Sequence, residues 1–300
     1  MGKTSISLSG VFPPIPTPFD REGNVACQAL VENLERWGRY DLTGYLVLGS
    51  NAEAVYLDDE EKLRVLQEAR KAIPKDKVMI AGTGAESTRH SIALTRQAAE
   101  VGADVAILVT PHYYGNRMTP DSLVAYYQAV AEASPIPILL YNVPIYTHLD
   151  MDAATVARAS RHPNIIGVKD SGGNITKIGD IVRLTGPDFQ VLAGSAGFFF
   201  AALAVGVVGG VLALANIAPQ PCIDIYRLFK AGEWDRAAEL QRRMIPVNTA
   251  VTARFGVVGL KVALDMLGYY GGPGRLPMLD LSEGEKQTLR GILVDGGLLE

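Results

Sequence analysis

The stretch Ile165-Ile166-Gly167-Val168-Lys169-Asp170-Ser171-Gly172-Gly173 carries an apolar run straight into a lysine and then into a short polar, glycine-rich segment. An apolar run this short, bounded by turn residues, fits a strand covered on both faces, as in a parallel sheet buried between other layers. The same pattern recurs at 11–15, 44–48, 78–81, 105–109, 138–140, 165–168, 191–193 and 209–212, which makes eight strand candidates. Helical patterns lie between them. Asp58 can cap a helix with Glu61 three positions on, followed by Leu63, Leu66, Ala69 and Ile73 at helical spacing. Thr119 with Pro120 opens another through Leu123, Tyr127 and Val130, and Gly102 stands where the preceding helix should stop.

Eight β-then-α units in residues 1–218 match the arithmetic of an α/β fold of the (β/α)8 TIM-barrel type, with a doubly wound sheet as the alternative. A barrel requires its chemistry to collect just after the strand C-termini, and polar clusters stand there. They are Gly49-Ser50-Asn51-Ala52-Glu53, Gly82-Thr83-Gly84, Pro111-His112-Tyr113-Tyr114, Tyr141-Asn142-Val143-Pro144, the segment from Lys169, and Gly194-Ser195. Beyond Pro219 the pattern is helical only, over 223–231, 234–245, 247–267 and 283–293. The expected organisation is therefore a barrel with the active site over 1–218 and a small C-terminal helical domain over 219–300. No low-complexity linker separates them, so the helices should pack on the barrel or on another subunit.

Composition narrows the function classes. The chain has 300 residues, 48% hydrophobic and 20% charged, as a globular protein does. A net charge of -4 and the lack of a Lys/Arg run argue against a nucleic-acid partner. Two cysteines, Cys27 and Cys222, offer no disulfide framework or zinc spacing, and they fit a cytoplasmic protein. Residues 1–10 lack the basic start and apolar core of a secretory signal and read as a lead-in. Residues 191–223 carry no charge, and 197–215 is long enough to cross a bilayer. Gly206, Gly209 and Gly210 within the run, and no flanking basic cluster or aromatic belts, favour buried strands and a helix instead, with no membrane contact. The histidines His90, His112, His148 and His162 show no metal-ligand pairing, so no metal is expected. Gly82-Thr83-Gly84 lacks the third glycine of a dinucleotide loop, and no phosphate-cradling string for ATP occurs.

Lys169 is the most informative residue, because it ends an apolar strand where an ammonium would have to leave water. Desolvation favours the free amine, a nucleophile toward ketones. A lysine snorkelling from the strand end, or paired with Asp170, is the competing explanation. Tyr141 closes the neighbouring strand in the same way and could relay protons, or could be a core tyrosine with a backbone partner. Ser50 and Asn51, in a loop before a helix, suit a carboxylate ligand but also suit an ordinary turn.

Taken together and in this order, these clusters resemble the dihydrodipicolinate synthase and N-acetylneuraminate lyase family. The likeness rests on Gly49 to Glu53, on Tyr141 to Pro144 and on Gly167 to Asp170, and it extends over essentially the whole chain. Within the family the sequence looks most similar to the 4-hydroxy-2-oxoglutarate aldolases, through Gly49-Ser50-Asn51, Pro163-Asn164-Ile165, Lys169 to Gly173, Leu192 to Phe198 and Gly268-Tyr269-Tyr270-Gly271-Gly272-Pro273. The resemblance implies a class I aldolase in which Lys169 forms a Schiff base with a 2-oxo acid, with no cofactor beyond that covalent imine. Tyr141 would be the proton relay, Ser50 and Asn51 the carboxylate binders, and Gly49, Ser171 and Gly194 the pocket lining. Tyr113 would complete the relay from the neighbouring chain of a homotetramer built as a dimer of dimers. The implied reaction is cleavage of 4-hydroxy-2-oxoglutarate to pyruvate and the aldehyde glyoxylate. Alternatives are the 4-hydroxy-tetrahydrodipicolinate synthase reaction, a 2-keto-3-deoxy sugar acid aldolase, and a keto-acid-binding barrel without turnover. Four departures bear on the second substrate: Tyr146 replaces the arginine with which synthases hold the aldehyde's carboxylate, Ser50 and Asn51 replace two threonines, Ala52 replaces a glycine, and His148 stands where many relatives have glycine.

Overall fold

The apolar runs become strands because Val, Ile and Leu pack well on a pleated surface covered from both sides. In the computed structural model, which describes residues 6–300, they are β1 (Gly10–Phe12), β2 (Gly44–Val47), β3 (Val78–Gly82), β4 (Val105–Val109), β5 (Ile138–Asn142), β6 (Ile165–Asp170), β7 (Gln190–Ala193) and β8 (Gly209–Val211). The first half of the expected lead-in, residues 1–5, lies outside the described residues. All strands run parallel, in the order β1-β8-β7-β6-β5-β4-β3-β2. The ring closes where Thr43 N donates to Val11 O at 3.0 Å, Leu46 N to Pro13 O at 3.0 Å and Ile15 N to Leu46 O at 2.9 Å. The doubly wound alternative is thereby excluded, and the (β/α)8 barrel is the fold.

Strand alternation sorts side chains into two compartments. Phe12, Leu46, Ile80, Ile107, Leu139, Leu192 and Val211 fill the barrel, which is a packed core and not a pore. Val47, Ala81, Leu108, Leu140, Val168 and Ala193 face outward onto the helices. Those helices are α1 (Cys27–Trp37), α2 (Asp59–Ala72), α3 (Thr88–Val101), α4 (Pro120–Ala133), the single turn α5 (Pro144–Thr147), α6 (Ala153–Ala159), α7 (Ile175–Leu184), α8 (Phe199–Ala204) and α9 (Pro219–Lys230). The expected caps are present. Asp58 and Glu61 form a reciprocal capping box on α2, Thr119 caps α4 ahead of Pro120, and Gly102 ends α3 at φ 97.

α9 packs against β1 and α8, and α10 (Trp234–Thr249), α11 (Gly256–Met266) and α12 (Glu283–Asp295) follow it. Helix boundaries differ from expectation in two places, the first being α9, which begins at Pro219 and not at 223. The break anticipated at Pro246 is absent, because α10 absorbs that proline. The chain turns instead through the five-residue π-helical segment Ala250–Arg254, after which Gly256 takes φ 59. The uncharged run of 191–223 is divided among β7, α8, β8, two 3-10 turns and the start of α9. Among the described residues, no helix is long and apolar enough to cross a membrane.

Candidate active site

A bulge in β6 turns Lys169 into the barrel. Ile138 pairs with Ile165 but Leu139 pairs with Gly167, so β6 holds one extra residue, Ile166. Side chains alternate faces along a strand, and one inserted residue reverses the parity of everything after it. Ile165 accordingly packs in the outer layer, whereas Lys169, four positions on, stands beside the inward-facing Tyr141 that it pairs with. Gly167 permits the fold at this point, since a Cβ there would lie 2.1 Å from Gln190 O and 2.9 Å from a Leu139 methyl.

Lys169 is 3% exposed, and its Nζ lies 4.0 Å from the centre of the Tyr141 ring. The Tyr141 hydroxyl is 3.1 Å from Ser50 Oγ, so amine, phenol and hydroxyl form a continuous row across the ends of β6, β5 and β2. Asp170 is not the partner of Lys169, as one reading of the sequence allowed. It points to the outer side of the sheet, where its carboxylate accepts from Asn142 Nδ2 at 2.8 Å and from Gly172 N at 2.9 Å and pairs with Lys177 at 3.0 Å. Asn142 Nδ2 also reaches Asp150 at 2.7 Å, and Lys177 contacts Asp150 as well. The residues that follow Tyr141 and Lys169 are therefore cross-linked behind the site. Asp170 is the buried member of this set, and leaving its partner Lys177 without it would cost several kcal/mol, whereas Asp150 is half exposed.

The loop after β2 is conformationally constrained. Leu48 and Glu53 have φ of 61° and 54°, bracketing Gly49, the 3-10 turn of Ser50 and the half-buried Asn51, and the buried Ala52. His148, in the loop after β5, has φ 53. The left-handed region disfavours residues with a Cβ, so His148 holds a conformation that glycine would adopt without strain. Strained residues of this kind cluster at functional sites, and all three here lie in the segments that follow β2 and β5. Gly194 stands so close to β6 that a Cβ would overlap Ser171 Oγ at 2.0 Å. Ser171 Oγ donates to Gly194 O at 3.5 Å, so the two adjoin at the ends of β6 and β7.

The rim is different. Tyr146 is 52% exposed, while burial of its phenol first and the neighbouring Tyr141 second push its pKa above the ordinary tyrosine value. Tyr113 is 78% exposed and stacks edge-on against Tyr114 with ring centres 5.0 Å apart. Glu86 fixes this loop, accepting from the backbone N–H groups of His112 and Tyr113 at 2.9 Å each and pairing with His112 Nδ1 at 2.9 Å. Among the described residues, no hydrogen bond joins Tyr113 to Tyr141 within the chain. Asn142, Asp150, Lys177 and Glu86 did not stand out in the sequence. Asp150 and Lys177 are 27 positions apart, and only the barrel brings them together.

A (β/α)8 barrel with a buried lysine near the end of its sixth strand and a tyrosine beside it on the fifth has the architecture of the class I aldolases. The chain belongs to the Dihydrodipicolinate synthetase family, whose pattern it matches over residues 7–295. This is a family of pyruvate-dependent lyases and synthases. The 4-hydroxy-tetrahydrodipicolinate synthase of Methanothrix thermoacetophila is 36% identical over 285 residues, covering 95% of both chains. Among solved structures, dihydrodipicolinate synthase DapA-2 from Bacillus anthracis superposes with a TM-score of 0.92 at 31% identity, covering 96% of this chain and 98% of that one. The chloride-inhibited dihydrodipicolinate synthase of Acinetobacter baumannii, complexed with pyruvate, gives 0.93 at 31% identity, covering 98% and 100%.

Proposed function

We propose that this protein is a class I aldolase acting on pyruvate, with Lys169 as the residue that forms the imine. The unprotonated amine adds to C2 of the 2-oxo acid, and loss of water leaves an iminium that withdraws electrons from C3. In the cleavage direction, Tyr141, linked to Ser50 and completed by Tyr113 of a neighbouring chain, takes the proton of the C4 hydroxyl as the C3–C4 bond breaks. The aldehyde departs and a pyruvate enamine remains. Protonation at C3 and hydrolysis of the imine release pyruvate, and the reverse sequence makes the bond. Ser50 and Asn51 hold the carboxylate so that C2 faces the amine. The observation that carries this reading is the row of Lys169, Tyr141 and Ser50, with 4.0 Å from amine to ring and 3.1 Å from phenol to hydroxyl. No cofactor is required, because the iminium is the electron sink.

For the second substrate, the names of the relatives favour the 4-hydroxy-tetrahydrodipicolinate synthase reaction over the cleavage of 4-hydroxy-2-oxoglutarate expected first from the sequence. Tyr146 is the specific observation that keeps the latter in view, since a phenol stands where synthases place an arginine for the aldehyde's carboxylate. Fold alone does not choose between them. Exposure of Tyr113 and Tyr114 at 78% and 67% supports assembly into the proposed dimer of dimers. Two unpaired cysteines, Cys222 fully buried, fit a cytoplasmic setting.

The test is mass spectrometry of the intact protein after pyruvate and borohydride, with peptide mapping. A pyruvate adduct on Lys169, and none in Lys169→Ala, is the expected result. Pyruvate binding without an adduct would instead favour a keto-acid-binding barrel. Turnover of 4-hydroxy-2-oxoglutarate measured beside the synthase reaction, in the wild type and in Tyr146→Arg, then decides the second substrate. Cleavage by the wild type that falls in the variant as synthase activity rises would place the specificity at Tyr146.

A further inference from the structure

Two parts of the sequence remain without a role in the proposed chemistry: Glu53, which ends the loop of Ser50 and Asn51, and Gly268 to Pro273 near the C-terminus. They meet at one buried lysine. Lys261 of α11 has a fully buried side chain, as does Glu53, with 0% and 1% exposure, and its ammonium contacts Glu53 Oε1. The same Nζ donates to Pro273 O at 2.8 Å and lies 4.3 Å from the Phe19 ring centre. Gly271 packs on the backbone of Lys261 so tightly that a Cβ would come within 1.9 Å of Lys261 O. The other oxygen of Glu53 accepts from Arg275 N at 2.8 Å, and the Arg275 guanidinium grips Glu61 at 2.6 and 2.7 Å and Tyr56 O at 2.8 Å.

Glu53 sits three residues from Ser50, and its N–H closes the turn on Ser50 O at 3.2 Å. Its φ of 54° lies in the left-handed region that residues with a Cβ seldom adopt, and the buried contacts of its side chain help hold it there. We propose that Glu53 and Lys261 are positioning residues that latch the Ser50–Asn51 loop to the C-terminal helices and set its geometry for the substrate carboxylate. This rests on the reading of Ser50 and Asn51 as carboxylate binders. Burial lowers the pKa of Lys261, and Glu53 opposes that shift, so each charge is what keeps the other tolerable in the interior. The helices of α11 and the Gly271-Gly272-Pro273 turn thereby act on substrate affinity without touching substrate.

The test separates positioning from mere support of the fold. Pyruvate affinity is measured by calorimetry, and the rate and pyruvate dependence of borohydride trapping are measured alongside, in the wild type, Glu53→Gln and the double variant Glu53→Gln/Lys261→Met. The double variant removes both buried charges and should recover thermal stability lost in the single one. The latch requires pyruvate affinity to fall on the order of tenfold in both variants, with the trapping rate at saturating pyruvate changed by less than about twofold, the mark of a lost ground-state contact. Affinity unchanged in the single variant, or returning with stability in the double, overturns it. A wild type that binds pyruvate without trapping refutes the imine instead, and the affinity shift still decides the latch.

Discussion

The wall of the cleft and its rim are built on opposite terms. On the wall, β5 and β6 hold Tyr141 and Lys169 at 6% and 3% exposure, in register, cross-linked from behind by Asn142, Asp150, Asp170 and Lys177. On the rim, Tyr113 and Tyr114 on the loop after β4 and Ile145 and Tyr146 on the single turn α5 stand 52–78% exposed. A residue on the sheet inherits its precision from the ladder of hydrogen bonds, whereas one on a loop has only local contacts, such as those from Glu86 to the Tyr113 loop. The wall is a property of one chain. The rim, as proposed, becomes part of the site only when another chain covers it.

Removing the phenol on the wall should have the largest consequence. Tyr141→Phe keeps the ring beside Lys169 and deletes only the hydroxyl that meets Ser50, so the imine still forms while proton transfer suffers. We expect turnover to fall by about 10²–10⁴, with borohydride trapping of pyruvate retained. Loss of trapping to the same degree as turnover would show that Tyr141 acts on imine formation and not on bond cleavage.

Next in size is the clamp behind the wall. Asp170→Asn preserves shape but leaves Lys177 with one carboxylate, and small displacements of reacting groups can cost up to about 10²-fold. Turnover by the folded variant should drop by about tenfold to a hundredfold. Normal turnover in a variant whose melting temperature has fallen would instead make the clamp purely structural.

What the sequence disclosed follows the same division. The eight strands, the capping box of Asp58 and Glu61 and the residues Lys169 and Tyr141 are local patterns, set by neighbours within a few positions. Seven of the eight strands were legible to within two residues at each end, β1 stops at Phe12 where the apolar run suggested 15, and the β6 bulge was not legible. A bulge is a relation between two strands, and nothing in Ile165-Ile166-Gly167 announces that one residue is surplus to its partner. The clamp and the Glu53–Lys261 pair escaped for the same reason, since their members meet only through the closed barrel or across more than two hundred positions. The missing break at Pro246 shows the converse. There a strong local signal yielded to the packing of α10 on α9 and on the turn at 196–198.

The rim carries the smallest expected change and the one that depends most on conditions. Tyr113→Phe, in the assembled protein, should reduce turnover by only about tenfold, below the 10²–10⁴ of a direct proton donor, because Tyr113 would act on Tyr141 and not on substrate. Its dependence on protein concentration separates rim from wall. Dilution through the dissociation range, followed by sedimentation, should take the wild type down to the activity of the Tyr113→Phe variant, while the variant itself loses little more. Pyruvate trapping at Lys169 should survive dilution in both, because the wall is complete within one chain. If dilution abolished trapping as well, the wall would depend on its partner too, and the contrast between the two regions would collapse into one interface-dependent site.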